Sequence, residues 1–292
     1  MDHNDIPLIS VIVPCFNSGR TIRRTILSIK KQTWVRKEIV LVNDGSTDQL
    51  TINILRELED NKIVKLINQK NNGLASARNK GVIQASGSFL FFLDADDWIE
   101  PKALEMMYSH LMRNKNFGYV FPDIYLEGER KGFIEKEFNL FEQYFLNQIP
   151  YCIFISKENF IKYGFYDEKM KLGYEDWDLN IKLGKNKIFG KRLPVPLFHY
   201  DVQNTGMLLS KSIINHIKIW QSIRIKNSSI YKINFLLSEW TLWRRKSSSY
   251  PLFLYFIWYL IINVMPENIS LKLFLSLRSI NMFLRRIKFK RN

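Results

Sequence analysis

Along the first hundred residues, apolar runs suited to buried strands alternate with stretches of helical period. Residues 9–14 (Ile-Ser-Val-Ile-Val-Pro) predict a strand, residues 20–32 a helix with Ile22, Ile26 and Ile29 on one side, and residues 38–43 a second strand. Residues 47–59 then predict helix, 63–68 strand, 74–85 helix and 89–94 strand. Such β-α-β alternation on nearly continuous apolar strands predicts an α/β fold whose mostly parallel central sheet is flanked by helices on both faces. Residues 119–200 are less regular. Strands are expected at 119–123, 151–155 and 195–200, with a helix running from the acidic segment 173–179 through Leu183.

Sheets of this kind bind ligands beyond the carboxyl ends of their strands. The polar clusters fall at those ends. Cys15-Phe16-Asn17 follows the first strand, Asp44-Gly45-Ser46 the second, Asn71-Asn72-Gly73 the third and Asp94-Ala95-Asp96-Asp97 the fourth. Any one of these loops suits a turn or a helix cap, but together they define one edge. Asp94, Asp96 and Asp97 crowd negative charge at the end of an apolar strand, which calls for a cation or strong donors. Hard oxygen ligands on a short loop suit Mg²⁺ or Mn²⁺. The alternative is a solvated turn that caps a helix beginning near Pro101. Glu175, Asp176 and Asp178 face a similar choice, since acidic residues favour a first helical turn. Capping, however, needs only one carboxylate.

Charge divides the chain. The 292 residues carry a net +15, yet residues 1–210 hold 28 Lys and Arg against 26 Asp and Glu, whereas residues 211–292 hold 15 against only Glu239 and Glu267. This predicts one unit at 1–210 and a basic, aromatic-rich helical region at 211–292. Cys15 and Cys152 form no zinc motif, and the polar start of the chain does not resemble a signal peptide, which together predict a cytoplasmic setting.

The ordered motifs resemble the inverting, GT-A (Rossmann-like) glycosyltransferases of family 2. The resemblance rests on Ser10-Val-Ile-Val-Pro-Cys-Phe-Asn17, Val42-Asn-Asp-Gly-Ser-Thr-Asp48 and Asn72-Gly-Leu-Ala-Ser-Ala-Arg-Asn-Lys-Gly81, followed by Asp94-Ala-Asp-Asp97 and Gly173-Tyr-Glu-Asp-Trp-Asp-Leu179. It spans residues 8–205 and implies a nucleotide-diphosphate sugar donor, with UDP the default, and an acceptor hydroxyl in cell-surface polysaccharide or glycolipid assembly. By that resemblance Pro14, Phe16 and Asp44 hold the nucleoside, and Asn17, Asn72 and Glu175 join the substrate side; Trp177 either lines the acceptor site or is a core aromatic. Arg78 meets the diphosphate or braces an acidic neighbour. Asp94 touches ribose and metal, Asp96 is the main ligand of Mn²⁺ or Mg²⁺, and Asp176 is the general base. His199 is a further candidate metal ligand or diphosphate contact, or else a structural histidine. Phe16 stands where the family often has Tyr, which keeps stacking and removes a hydroxyl.

Beyond residue 210 the apolar run 252–265 is too short to span a bilayer, for which about 20 residues are needed. It predicts a buried or interfacial helix. Ile269, Leu273, Leu277, Ile280, Leu284 and Ile287 form a stripe, with Arg278, Arg285, Arg286 and Lys288 elsewhere on the wheel. The region suits peripheral attachment to the inner membrane face near a lipid-linked glycan acceptor, or packing on protein. A nucleic-acid-binding protein would leave the carboxylate loops unexplained and shows no recognisable module. A sugar nucleotidyltransferase would want a Gly-rich basic loop after its first strand, and residues 14–18 have none.

Overall fold

The computed structural model describes residues 6–129, 131–202, 215–246 and 250–266, with 269, 272, 273 and 276 beyond them. The chain opens as expected: β1 (Ile9–Cys15), α1 (Ile22–Lys30), β2 (Lys37–Asp44), α2 (Gln49–Asp60), β3 (Lys65–Gln69), α3 (Leu74–Gln84) and β4 (Phe89–Phe92). Next come β5 (Trp98–Ile99), α4 (Ala103–Arg113), β6 (Tyr119–Gly128), β7 (Gly132–Ile134), α5 (Leu140–Gln143), β8 (Phe154–Ser156), α6 (Lys157–Tyr163), α7 (Glu175–Lys185) and β9 (Gly190–Val202). Three further helices are α8 (His216–Lys226), α9 (Ile233–Trp243) and α10 (Leu252–Val264).

One sheet runs β3-β2-β1-β4-β8-β6-β9-β5, with β7 on β6. Its first four strands are parallel, in keeping with the apolar runs of β1, β2 and β4. β8 then enters antiparallel between β4 and β6, and β6 and β9 run parallel through a bulge near Asp123.

Side chains alternate across this sheet with period two. Ile12, Val40, Val42, Leu90 and Phe92 face a core shared with α3, α7 and the aromatic helices α8–α10. Val11, Val13, Leu41, Phe91 and Leu93 face a second core under α1, α2 and α4. The predicted stripe of α1 is there: Ile22, Ile26 and Ile29 are buried. α3 lies very close to β1, for a Cβ on Gly81 would meet Ile12 Cγ2 at 2.5 Å. That approach brings the α3 face carrying Arg78 down over the strand ends.

Part of the basic C-terminal region packs on the rest of the chain: Ile219, Trp220, Leu236, Tyr255 and Trp258 join the first core. Leu277, Ile280, Leu284, Ile287 and the cations Arg278, Arg285, Arg286 and Lys288 of the sequence stripe lie outside the described residues.

Candidate active site

α1 holds the loop after β4 by its backbone. Thr21 Oγ1 donates to the Ala95 carbonyl at 2.8 Å, Thr25 Oγ1 to those of Ala95 and Asp97 at 3.0 and 2.7 Å, and Arg24 Nη2 to that of Asp96 at 2.7 Å. With the backbone fixed, the three carboxylates diverge. Asp97 points inward and is fully buried, accepting from the Tyr151 hydroxyl and, at 2.9 Å, from the Asp201 amide. Burial, then the charges of Asp96 and Asp94, raise its pKa well above the carboxylate range. Both oxygens of Asp94 accept from Arg78 Nη2, at 2.7 and 2.9 Å. Asp96 alone receives no side-chain donor among the described residues. Burial and the neighbouring Asp94 push it up to about 7, with Asp201 adding to the effect. None of the three caps α4, whose N-cap is Lys102, so the alternative of a capped turn does not describe this loop.

The acidic segment resolves the same way. α7 begins after Tyr174 in the left-handed region (φ 59°), without a side-chain cap, and its three carboxylates go to three different partners. Glu175 pairs with Arg78 Nη1 at 2.5 Å, Asp178 accepts from Lys226 Nζ at 2.7 Å, and Asp176 Oδ2 accepts from Asn147 Nδ2 at 3.0 Å. Asp176 Oδ1 accepts from the Trp177 amide at 2.9 Å. Asp176 is half-buried; burial and then Glu175 push it up to about 7, against the pull of Asn147 and Arg78. A carboxylate poised there can take a proton near neutral pH.

Arg78 ties the two acidic segments together. It is 1% exposed, its fork grips Asp94 and Glu175, and its guanidinium lies over Tyr151 and Tyr166, 4.6 and 5.3 Å from the ring centres. Burial lowers its pKa, but Asp94, Tyr166 and Glu175 outweigh that and raise it well above the usual value. Of the two tasks expected of Arg78, bracing acidic neighbours is the one its contacts perform.

Asp44, at the end of β2, organises the next loop. It accepts from Gln69 Nε2 and the Asn72 amide, both at 2.8 Å, and from the Gly73 amide at 2.9 Å. Gly73 sits at φ +95°, a conformation that favours glycine, and so lets its amide turn to the carboxylate. Asn17 does the equivalent work one loop away: its Oδ1 accepts from the amides of Thr47 and Asp48 at 2.8 and 3.1 Å. Pro14 is buried in β1, and Phe16 beside it is 46% exposed at the strand ends. Asp44→Ala is expected to leave the Asn72 and Gly73 amides without their acceptor and to cost roughly 2 kcal/mol. Chemical denaturation would check this; unchanged stability would mean that the loop does not depend on Asp44.

Two expectations require correction. His199 is not available as a metal ligand: it is 6% exposed, with Nδ1 2.9 Å from Glu127 and Nε2 2.9 Å from Glu100, and it is stacked between Trp98 and Tyr125. Trp177 does not line the acceptor side. It is fully buried, donates from Nε1 to the Gln143 carbonyl at 2.6 Å and stacks on His216, because the helical turn that aims Asp176 outward aims its neighbour into the core.

Sequence reasoning missed Tyr151, Asn147 and Tyr200. Tyr151 bridges the acidic loop, accepting from the Asp94 amide at 2.9 Å and donating to Asp97. Tyr200 is half-buried, and its phenol is pushed up by burial and then by Asp97, Asp94, Asp96 and Asp176 together. No spacing signal marked these residues, since they come from the irregular region and from β9.

Among the described residues no group of three or more His, Cys, Asp and Glu forms a ready-made metal cage. Asp96, with Asp94 beside it, offers the one or two carboxylates by which Mg²⁺-like ions are usually held when substrate phosphates complete the shell. Its raised pKa and lack of a side-chain donor suit a group that awaits a cation, so these residues fit such an ion.

A mostly parallel sheet flanked by helices, with carboxylates gathered beyond its strand ends, is similar to the architecture of the GT-A glycosyltransferases. Within that class the chain belongs to glycosyl transferase family 2, whose family model matches residues 10–178. Similar proteins include the hyaluronan synthase of Pasteurella multocida, 35% identical over 119 residues that make up 40% of this chain and 12% of that protein. Another is the UDP-Glc:alpha-D-GlcNAc-diphosphoundecaprenol beta-1,3-glucosyltransferase WfgD of Escherichia coli, 41% identical over 108 residues, 37% of this chain and 42% of that one. The chain thus aligns with less than half the length of either relative. Among solved structures, residues 1–349 of S. aureus TarS in complex with UDP-GlcNAc match with a TM-score of 0.60 at 20% identity, covering 83% of this chain and 75% of that one. At that identity the likeness is one of fold.

Proposed function

We propose that the protein transfers a sugar, with inversion, from a nucleotide-diphosphate donor to an acceptor hydroxyl. The observation that carries this reading is the placement of Asp176: a half-buried carboxylate at the head of α7 that accepts from Asn147, next to Glu175, which Arg78 ties to Asp94 of the other acidic segment. The acceptor oxygen attacks the anomeric carbon as Asp176 takes its proton, and the bond from that carbon to the diphosphate breaks, its electron pair leaving with the nucleoside diphosphate. A single displacement inverts the centre.

Asp96, with Asp94, would hold a Mn²⁺ or Mg²⁺ ion, and such an ion would neutralise charge on the diphosphate. Arg78 keeps Asp94 and Glu175 in place, while Phe16 and the loops organised by Asp44 and Asn17 receive the nucleoside. The name of the WfgD relative supports UDP as the donor nucleotide and a lipid-diphosphate glycan as the acceptor class.

Screening nucleotide sugars with Mn²⁺ for release of the nucleoside diphosphate tests the reading. Release from a UDP-sugar, increased by a polyprenyl-diphosphate glycan, is expected; release from none of the donors would overturn it. Asp96→Ala is expected to weaken metal-dependent UDP binding by at least about tenfold, as removal of a principal ligand should. Calorimetry with UDP and Mn²⁺ measures this, and unchanged affinity would remove Asp96 from the metal site.

A further inference from the structure

α9 and α10 turn apolar rows away from the protein. On α10, Phe253, Ile257, Leu260 and Val264 recur at helical spacing and are 62, 43, 61 and 81% exposed. On its other side Tyr255 and Trp258 are buried, and the Tyr255 hydroxyl donates to Glu142. On α9, Leu236 is buried while Ile233, Leu237 and Leu242 are exposed. The two helices meet where Trp240 contacts Phe256, ring centres 6.3 Å apart.

A surface helix ordinarily sends its charges outward. From Leu252 to Val264 there is no charged residue, so α10 is apolar on its outer side as well as its inner one. Its 13 residues reach about 20 Å, short of the roughly 30 Å of a bilayer's hydrocarbon. No helix among the described residues is long and apolar enough to cross a membrane. Cations border the face: Lys232 precedes α9, and Arg244, Arg245 and Lys246 follow it, all exposed.

We infer that the outer face of α9 and α10 docks on an anionic lipid bilayer, the apolar rows entering the acyl boundary and the bordering cations meeting the headgroups. Charge selects this occupant. Residues 211–292 carry 15 basic against two acidic residues, so a second copy would bring like charge against like, whereas each cation near an anionic leaflet favours binding by about fivefold. The inference deepens the reading of a lipid-linked acceptor, but its test reads attachment rather than transfer, so either can fail alone.

The test is co-sedimentation of the full chain with vesicles of phosphatidylcholine, with and without phosphatidylglycerol. Binding to the anionic vesicles is expected, weakened by salt, and reduced at least about tenfold by Phe253→Ser with Leu260→Ser. Because these side chains are exposed, the double variant should keep its melting temperature and UDP binding. A polarity-sensitive fluorophore on Leu260→Cys gives a second reading, both native cysteines being buried; its emission should shift to the blue with anionic vesicles. Wild-type protein remaining in the supernatant, equal pelleting of the double variant, or an unshifted fluorophore would overturn the inference. So would a vesicle-independent dimer lost in the variant, which would give the face to a second copy.

Discussion

Asp176→Asn is expected to lower kcat by about 10²- to 10⁴-fold, the range for loss of a general base, while donor affinity changes less than about threefold. The substitution keeps the shape at the head of α7 and removes the basic oxygen, so the loss should appear in the chemical step rather than in nucleotide binding. pH gives a second signature. The base works ionised, and burial with Glu175 pushes it up to about 7, so kcat/KM should rise with pH along a limb near 7 at saturating Mn²⁺. The stability consequence has the opposite slope. A carboxylate raised in the folded state favours folding below its unfolded pKa and loses that contribution as pH rises through about 7. The melting temperature of Asp176→Asn relative to wild type should therefore increase from pH 5 to pH 8. Steady-state kinetics, donor calorimetry and melting curves across that range check these outcomes; full transfer by the variant would remove Asp176 from the chemistry.

Arg78→Met should cost about 3–5 kcal/mol of folding stability, the usual penalty when one partner of a buried ion pair is removed. The guanidinium is the shared counter-ion of Asp94 and Glu175, which lie in different parts of the sheet architecture and would be left facing each other. At roughly 2–4 °C per kcal/mol for a large domain, the melting temperature should fall by about 10 °C. Burial already raises Asp94 against the pull of Arg78, and without the cation it is raised further, so the deficit should grow from pH 5 to pH 8. Arg78→Lys keeps the charge but loses the fork, and should fall between the two proteins. A methionine variant as stable as wild type would mean that the bridge does not hold the acidic segments together.

Much of this arrangement was legible beforehand for a physical reason. β1, β2 and β4 are buried on both faces along most of their length, so their composition had to be continuous and β-rich, and the polar residues that end them had to lie on one edge. Ordered motifs then carried Asp44, Arg78, Asp94, Asp96 and Asp176 to that edge. The antiparallel entry of β8 was not legible, because a three-residue strand shows no period, and neither was the 13-residue length of β9, whose pattern is interrupted by Pro194, Pro196 and a bulge.

What the sequence determined by itself was the fold class, the acidic edge and the division of charge, since these follow from local periodicity and composition. Which carboxylate does what was decided only in three dimensions. Asp94, Asp96 and Asp97 are chemically identical in the sequence, yet Arg78 claims the first, Tyr151 and the Asp201 amide claim the third, and the second alone receives no side-chain donor among the described residues. Of the two readings open for His199 and for Trp177, the tertiary contacts favour the structural one for the same reason. A side chain's function depends on which partners reach it, and those partners come from α3, β9 and the segment before β8, far away along the chain.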